Sequence, residues 1–340
     1  MALTLMKGSE AIAKAAIRCG CRYFFGYPIT PQTEIPEYMS ERMPEIGGCF
    51  LQAESEVGAI NMVYGAAGTG ERVLTSSSSP GVSLKQEGLS DIAGAQLPCV
   101  SMNVMRGGPG LGSIQAGQGD YFQATKGGGH GDYHLVVFAP ASVQESIDLM
   151  SVAFDTADKY QCPVMIVADG MICQMMEPVV LPEMKEYVID YEKKPWAANG
   201  HGAKDKPSRA IINSLYITVE ELDSLNERLQ ATYREIEKNE VRFEAYNMEN
   251  AEIIVTAFGT VARIAKSAID ELKEEGINIG MLRPITLWPF PYKEPPDAGT
   301  APVVQAALDV ELNAGPMLEA VKTAMNGAKN DDFLGPSQSQ

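Results

Sequence analysis

Residues 23–31 read Tyr-Phe-Phe-Gly-Tyr-Pro-Ile-Thr-Pro. Three consecutive aromatics make a short strand, and it must stop near Gly26. Pro28 and Pro31 lack a backbone donor and hold their neighbours out of regular structure. Before it, Gly8-Ser9-Glu10 starts a helix through Ala11, Ile12, Ala15 and Ala16 that Gly20 closes. After it, the stretch 32–42 carries Ile35 and Met39 one helical turn apart. The alternation then repeats: strand 49–52, a Gly/Ala-rich helix over 54–67, strand 73–76, helix 82–95 and strand 99–105. Beyond a glycine-rich stretch come strand 135–138, helix 142–159 and strand 164–168. Such alternation predicts βαβ units and an α/β fold, a mostly parallel sheet with helices on both faces.

The pattern breaks after residue 182. Residues 183–210 are polar and rich in Lys, Glu and Pro, as a connecting segment is. Thr218 with Glu221 three residues on forms a capping box for one long helix. Its expected apolar stripe runs Leu222, Leu225, Leu229, Tyr233, Ile236, Phe243 and Tyr246, and packing on its own domains is preferred to a partner coiled coil. From Ala251 the alternation resumes, with strand 253–257, helix 261–275 closed by Gly276, and strand 277–282. The expected division is therefore 1–182, a connector 183–250, a smaller α/β domain 251–330 and a tail 331–340.

Composition narrows the functional classes. The chain has 340 residues, 45% of them hydrophobic, enough to bury a real core. Its 27 Lys and Arg against 44 Asp and Glu leave a net charge of −17, which argues against unaided binding to nucleic acid or to an anionic membrane. No apolar run approaches the ~18 residues of a membrane span. Lys7, Glu10, Lys14 and Arg18 interrupt any signal-peptide core, so a cytoplasmic protein is expected. Six scattered cysteines, without Cys-x-x-Cys, and three histidines point to reduced buried thiols rather than a zinc or iron–sulfur site.

Several residues can carry chemistry. Ten of the 32 glycines fall between 107 and 131, a density suited to backbone approaching a ligand or another chain, with a flexible surface loop as the plainer alternative. The segment fits no Gly-x-Gly-x-x-Gly fingerprint, since Ser113 and His134 stand where the last glycine would be, and no phosphate-binding P-loop is present. Nicotinamide, flavin and ATP readings are weakened accordingly. Arg106 and Thr30 both fall at carboxyl ends of expected strands, where ligands of open α/β sheets bind. A guanidinium there can grip a carboxylate with two parallel bonds, or merely form a surface ion pair. Glu54 and Glu56 open an apolar helix; two residues apart, only one of them can face inward. A carboxyl on such a face can share a proton with a ligand nitrogen, whereas helix-start glutamates favoured by the dipole are the structural alternative.

These motifs together resemble the 2-oxoacid:ferredoxin oxidoreductases. Gly26-Tyr27-Pro28-Ile29-Thr30-Pro31 is similar to that family's YPITP motif, and Ala53-Glu54-Ser55-Glu56-Val57-Gly58-Ala59 to its E-S-E segment. Thr75-Ser76-Ser77-Ser78-Ser79-Pro80-Gly81, Met105-Arg106-Gly107-Gly108-Pro109-Gly110, Gly128-Gly129-His130-Gly131-Asp132-Tyr133 and Arg283-Pro284-Ile285-Thr286-Leu287-Trp288-Pro289 follow in its order. The resemblance spans about residues 5–325 and looks closest to the branched-chain, 2-ketoisovalerate-using members. It implies a pyrimidine-type thiamine diphosphate domain followed by a transketolase C-terminal-type domain. It implies that Glu56 contacts N1′ of the cofactor's aminopyrimidine, beside Tyr27, Pro28 and Ile29, and that Thr30 and Arg106 hold the 2-oxoacid.

The resemblance also implies what lies elsewhere. The diphosphate, its Mg²⁺ and the [4Fe-4S] clusters belong on partners: a thiamine-diphosphate-binding beta subunit, a gamma subunit and a ferredoxin-like delta subunit. Asp169-Gly170 with Asn199 only mimics the partner's diphosphate motif, because Asn199 falls in the connector. The expected reaction converts a 2-oxoacid, CoA and oxidised ferredoxin to acyl-CoA, CO₂ and reduced ferredoxin, with this chain inactive alone. Two rivals remain: the beta subunit of a lipoamide-linked 2-oxoacid dehydrogenase, and a non-catalytic scaffold whose glycine loop packs on a partner and whose Glu56 faces solvent.

Overall fold

The computed structural model describes residues 3–186, 188–200, 210–292, 306–325 and 330–334. Strands β1 (Thr4–Lys7), β2 (Tyr23–Gly26), β3 (Cys49–Gln52), β4 (Val73–Ser77), β5 (Cys99–Met105), β6 (Val136–Phe138), β7 (Pro163–Asp169) and β8 (Met176–Val179) alternate with helices α1 (Gly8–Arg18), α2 (Glu34–Glu45), α3 (Glu56–Ala67), α4 (Ser79–Gly94), α5 (Tyr121–Thr125), α6 (Val143–Tyr160) and α7 (Gly170–Gln174). Then follow α8 (Val219–Asn239), β9 (Phe243–Tyr246), β10 (Ile253–Thr256), α9 (Gly259–Glu274), β11 (Ile279–Pro284), β12 (Thr286–Trp288), β13 (Ala306–Val310), α10 (Leu318–Met325) and β14 (Asn330–Leu334). The larger sheet has seven strands in the order β12-β6-β7-β5-β4-β2-β3, parallel except for β12. The second has the order β14-β13-β10-β11-β9, with β9 antiparallel. β1 and β8 pair separately.

Strand alternation sorts the core into two layers. Val100, Met102 and Val104 of β5, with Phe24, Leu74, Val164 and Ile166, pack under α1, α2, α6 and α8. Phe25, Val73, Cys99, Met105, Met165 and Val167 face α3 and α4. That second face is unusual at its centre, because Thr75, Ser77, Ser101 and Asn103 are polar and buried there.

The local departures from expectation have identifiable causes. α2 starts at Glu34 rather than at Gln32. The buried Gln32 side chain instead clamps the preceding turn, donating to the Tyr27 carbonyl and accepting from the Ser76 hydroxyl. α3 starts at Glu56 because Ser55 caps it, accepting from the Gly58 N–H, and this leaves Glu54 outside the helix and exposed. α4 begins at Ser79, three residues before Val82, with Pro80 in its first turn, where proline is tolerated. α8 carries the capping box and buries Leu225, Leu229, Tyr233 and Ile236. Phe243 and Tyr246 are not part of that stripe, since they lie in β9, and Leu222 is exposed.

The two sheets exchange strands. β9 comes from the connector yet pairs with β11, and β12 leaves the second sheet to pair with β6 of the first. Arg283 fastens this crossing. Its Nη1 and Nη2 donate to Glu145 at 2.8 and 2.7 Å, and its Nε to Glu244 at 2.9 Å. Trp288 adds a stacked contact with His134, 4.5 Å between centroids. Residues 331–334 lie in the edge strand β14, and 335–340 fall outside the described residues. Among the described residues no helix is long and apolar enough to cross a membrane, and the six cysteines are free thiols.

Replacing Arg283 by Met would strand two carboxylates against the joint between the sheets. Because Glu145 and Glu244 are 22% and 31% exposed, solvent offsets part of the loss. The expected destabilisation is about 2 kcal/mol, read as a lowered urea midpoint.

Candidate functional site

The sheet order sets β5, β4, β2 and β3 side by side, so the segments after their carboxyl ends converge. The Tyr27–Pro31 turn follows β2, the 78–81 segment follows β4, Arg106 follows β5, and Glu56 opens the helix after β3. All the candidate residues thus lie along one edge, where the topology of an open parallel sheet leaves a crevice.

Glu56 is 5% exposed and projects from the first turn of α3 toward α4. The closeness is visible at Gly81, where a Cβ would come within 2.5 Å of Glu56 Oε1 and 2.2 Å of Ser77 Oγ. No side chain fits there, because the carboxyl group occupies the place. Two turns further along α4, a Cβ on Gly88 would collide with Ile60. Two glycines on α4 therefore let α3 approach closely enough to bury Glu56. Beside it, the hydroxyls of Ser77 and Ser78 are buried without a hydrogen-bond partner among the described residues. Unpartnered buried donors next to a buried carboxyl fit a planar nitrogen heterocycle carrying both donors and acceptors, such as an aminopyrimidine.

Arg106 is buried and beside Thr30, but its fork is not free. Nη1 donates to the Thr30 carbonyl at 2.8 Å and Nη2 to the Leu111 carbonyl at 2.6 Å, while Nε has no partner among the described residues. The guanidinium ties the β2 turn to the glycine loop instead of standing open. Thr30 itself is exposed, as is Pro28, and Tyr27 and Ile29 are half-buried. The turn therefore offers its side chains outward at the crevice.

The glycine cluster divides in two. Residues 107–117 fold back on Arg106, where Gly107 N–H donates to the Gln115 carbonyl and Ser113 N–H to that of Gly107. Gly128 and Gly129 instead pack on α4: Gly128 N–H donates to Gln86, and a Cβ on Gly129 would strike Ser90. The second part supports a helix and does not line the crevice.

Sequence patterns did not flag three neighbours. Lys85 is fully buried, its Nζ donating to Thr75 Oγ1 at 2.7 Å and to the Ser76 carbonyl at 3.0 Å. Burial drags its pKa down to about 7, against the opposing pull of Glu56. A lysine one turn after Gly81 and three residues after Val82, on the helix's apolar face, was the available signal. Asp120 accepts from Ser79 Oγ and from Asn103 Nδ2 at 2.8 Å, and burial raises its pKa, opposed by those bonds and by Arg106. Gln118 joins the domains, with Nε2 donating to the Phe258 carbonyl and Oε1 accepting from Leu312 N–H. A cleft of about 720 Å³ opens there between Ser79, Asp120, Gly108 and the Asn313–Lys322 segment. Asp169 caps α7 through Met171 and Ile172, so it is engaged structurally. Among the described residues no group of three or more His, Cys, Asp or Glu could hold a metal ion.

Comparison with known proteins agrees with this geometry. Residues 14–245 match the family described as pyruvate flavodoxin/ferredoxin oxidoreductase, thiamine diphosphate-binding, and residues 251–334 match pyruvate:ferredoxin oxidoreductase core domain II. The ketoisovalerate oxidoreductase subunit VorB of Methanothermobacter thermautotrophicus is 47% identical over 95% of this chain and 90% of its own. The 2-oxoglutarate synthase subunit KorA of Methanocaldococcus jannaschii is 36% identical over 86% of this chain and 84% of its own. The fold is that of 2-oxoglutarate:ferredoxin oxidoreductase from Magnetococcus marinus, with a TM-score of 0.86 at 23% identity, over 98% of this chain and 62% of that one.

The domain joint should also respond to pH. Glu311, 1% exposed, accepts from Met317 N–H and from Asn313 Nδ2, and burial together with Asp309 pushes its pKa up to about 9. An acid whose folded value lies above its unfolded one stabilises the fold when protonated. That contribution is complete below about 4.5 and is lost as pH rises toward about 9. Between pH 6 and pH 8 the urea midpoint should fall by the equivalent of roughly 1 kcal/mol per unit. In Glu311→Gln this slope should flatten.

Proposed function

Because the chain belongs to the pyruvate flavodoxin/ferredoxin oxidoreductase family, as a subunit of a thiamine-diphosphate-dependent 2-oxoacid:ferredoxin oxidoreductase, we propose that its substrate is a branched-chain 2-oxoacid, 3-methyl-2-oxobutanoate first among them, and that Glu56, Thr30 and Arg106 carry its share of the chemistry. The substrate reading rests on identity, which is 47% to a ketoisovalerate subunit against 36% to a 2-oxoglutarate one. The site reading rests on one observation: a buried carboxyl at Glu56, pressed against Gly81 beside the unpartnered hydroxyls of Ser77 and Ser78.

Bound thiamine diphosphate supplies an acidic carbon nucleophile and a sink for the electrons released on decarboxylation. Glu56 holds a proton at N1′ of the aminopyrimidine, in a place from which α3 and α4 exclude water. Ser77 and Ser78 orient the ring's polar edge, and Tyr27, Pro28 and Ile29 form the wall beside it. The Thr30 hydroxyl and the unpartnered Nε of Arg106 receive the substrate carboxylate, and the bonds from Nη1 and Nη2 to the Thr30 and Leu111 carbonyls fix the direction of the guanidinium. Partner subunits bring the diphosphate site with its Mg²⁺ and the [4Fe-4S] clusters, and CoA and ferredoxin complete the reaction. The buried Glu56 counts against a scaffold, and the match of both domains to ferredoxin oxidoreductase families favours this reading over the lipoamide-linked rival.

The assembled enzyme, purified with its partner subunits and assayed by dye reduction, should use 3-methyl-2-oxobutanoate with a higher kcat/KM than pyruvate or 2-oxoglutarate. A preference for 2-oxoglutarate would refute the substrate reading. Glu56→Gln should leave assembly intact and slow proton exchange at the cofactor's reactive carbon by roughly 100-fold or more. Arg106→Ala should lower kcat/KM for the 2-oxoacid by about 10- to 100-fold with little change in cofactor affinity. An unchanged kcat/KM counts against its role.

A further inference from the structure

Lys85 has no place in the chemistry described so far, yet it is the most deeply buried cation near the site. A lysine at zero exposure is rare, because an ammonium removed from water needs both hydrogen bonds and a counter-charge. Thr75 Oγ1 and the Ser76 carbonyl supply two bonds, and neither is charged. The groups that face Lys85 come from three elements: Glu56 of α3, Thr75 and Ser76 of β4, and Cys99 of β5, whose thiol burial pushes up to about 12. Glu56 is the one carboxyl among them.

The helix geometry brings the two together. Gly81 and Lys85 stand one turn apart on α4, and Glu56 and Ile60 one turn apart on α3. Gly81 touches the Glu56 carboxyl and Gly88 touches Ile60, so Lys85 lies between these two contact points on the facing stripe. Its ammonium is moored to the Ser76 carbonyl, one residue from Ser77, whose hydroxyl borders Gly81 together with Glu56.

We propose that Lys85 is a positioning residue for Glu56, a buried counter-charge that holds the carboxyl at the contact of α3 and α4, where the cofactor ring would meet it. This rests on the assignment of Glu56 given above. Burial favours neutral Lys85, and the nearby Glu56 carboxyl favours the ammonium. Removing the ammonium leaves the carboxyl without a counter-charge in a dry site.

Two measurements test this, one of them free of cofactor. In urea unfolding of the full chain, a double-mutant cycle of Lys85→Met and Glu56→Gln should show non-additivity of about tenfold in the unfolding equilibrium constant. Additive effects overturn the pairing. In the assembled enzyme, Lys85→Met should move the acidic limb of the proton-exchange profile upward by about one pH unit. Lys85→Gln, which keeps a donor for Thr75 and Ser76 but no charge, should shift it equally. If Lys85→Gln restores the wild-type limb, or if neither variant moves it while Glu56→Gln abolishes exchange, Lys85 only moors the turn and the proposal fails. If Glu56→Gln retains exchange, the assignment of Glu56 itself has failed.

Discussion

The organisation of this chain depends on a close approach of two helices over a polar patch of sheet. Most parallel sheets bury continuous apolar strands. Here Thr75, Ser77, Ser101 and Asn103 point toward α3 and α4, where an apolar layer belongs. Glycine at 81 and 88 brings α3 against α4, and the pair seals Glu56 and Lys85 above these hydroxyls and amides. A side chain at either glycine would separate the helices and let water reach the carboxyl. A polar patch that is unfavourable in an ordinary core therefore makes a place at the crevice from which water is excluded.

The second domain lines the Ser79–Asp120 cleft from the far side, and its attachment joins apolar contacts such as Tyr121 with Phe258 to a set of polar ties. Arg283 grips Glu145, Gln118 spans from the glycine loop to Phe258 and Leu312, and the Asp309–Glu311 pair lies just beneath that loop. Because β12 pairs with β6 of the first sheet while the connector's β9 pairs with β11 of the second, the domains cannot separate without breaking strand hydrogen bonds. The cleft at Ser79 and Asp120 is lined by both domains.

Much of the architecture was legible because it depends on local period and punctuation. The alternation of strands and helices, the capping box at Thr218, and the limit of one inward carboxyl between Glu54 and Glu56 follow from short-range geometry, whereas the family resemblance pointed to Glu56. What escaped depends on long-range contact. No local signal tells that Thr286–Trp288 returns to the first sheet, since a strand of three residues carries no period. Gln32 reads as the start of a helix until Ser76, 44 residues away, accounts for its side chain. Arg106 sits where the pattern put it, yet the carbonyls of Thr30 and Leu111 that engage it belong to loops without sequence signature. Lys85 is the sharpest case, because a single lysine in a helix reads as solvated unless its face is already known to be buried.

Charge gives the last step. A surface with a net charge of −17 repels a 2-oxoacid at long range, and salt screens that repulsion beyond about 8–10 Å. Whatever recognises an anion here must act at short range, from cations held inside. Arg106, 6% exposed, and Lys85, fully buried, have that character. In such surroundings an ion pair is stronger than at a surface, and its geometry is fixed by neighbours and not by side-chain freedom. Arg106 is already oriented by two carbonyls, so it loses little conformational entropy when a carboxylate arrives. An acidic protein can in this way handle acidic substrates without a basic surface, provided the cations are few, buried and held in place before binding.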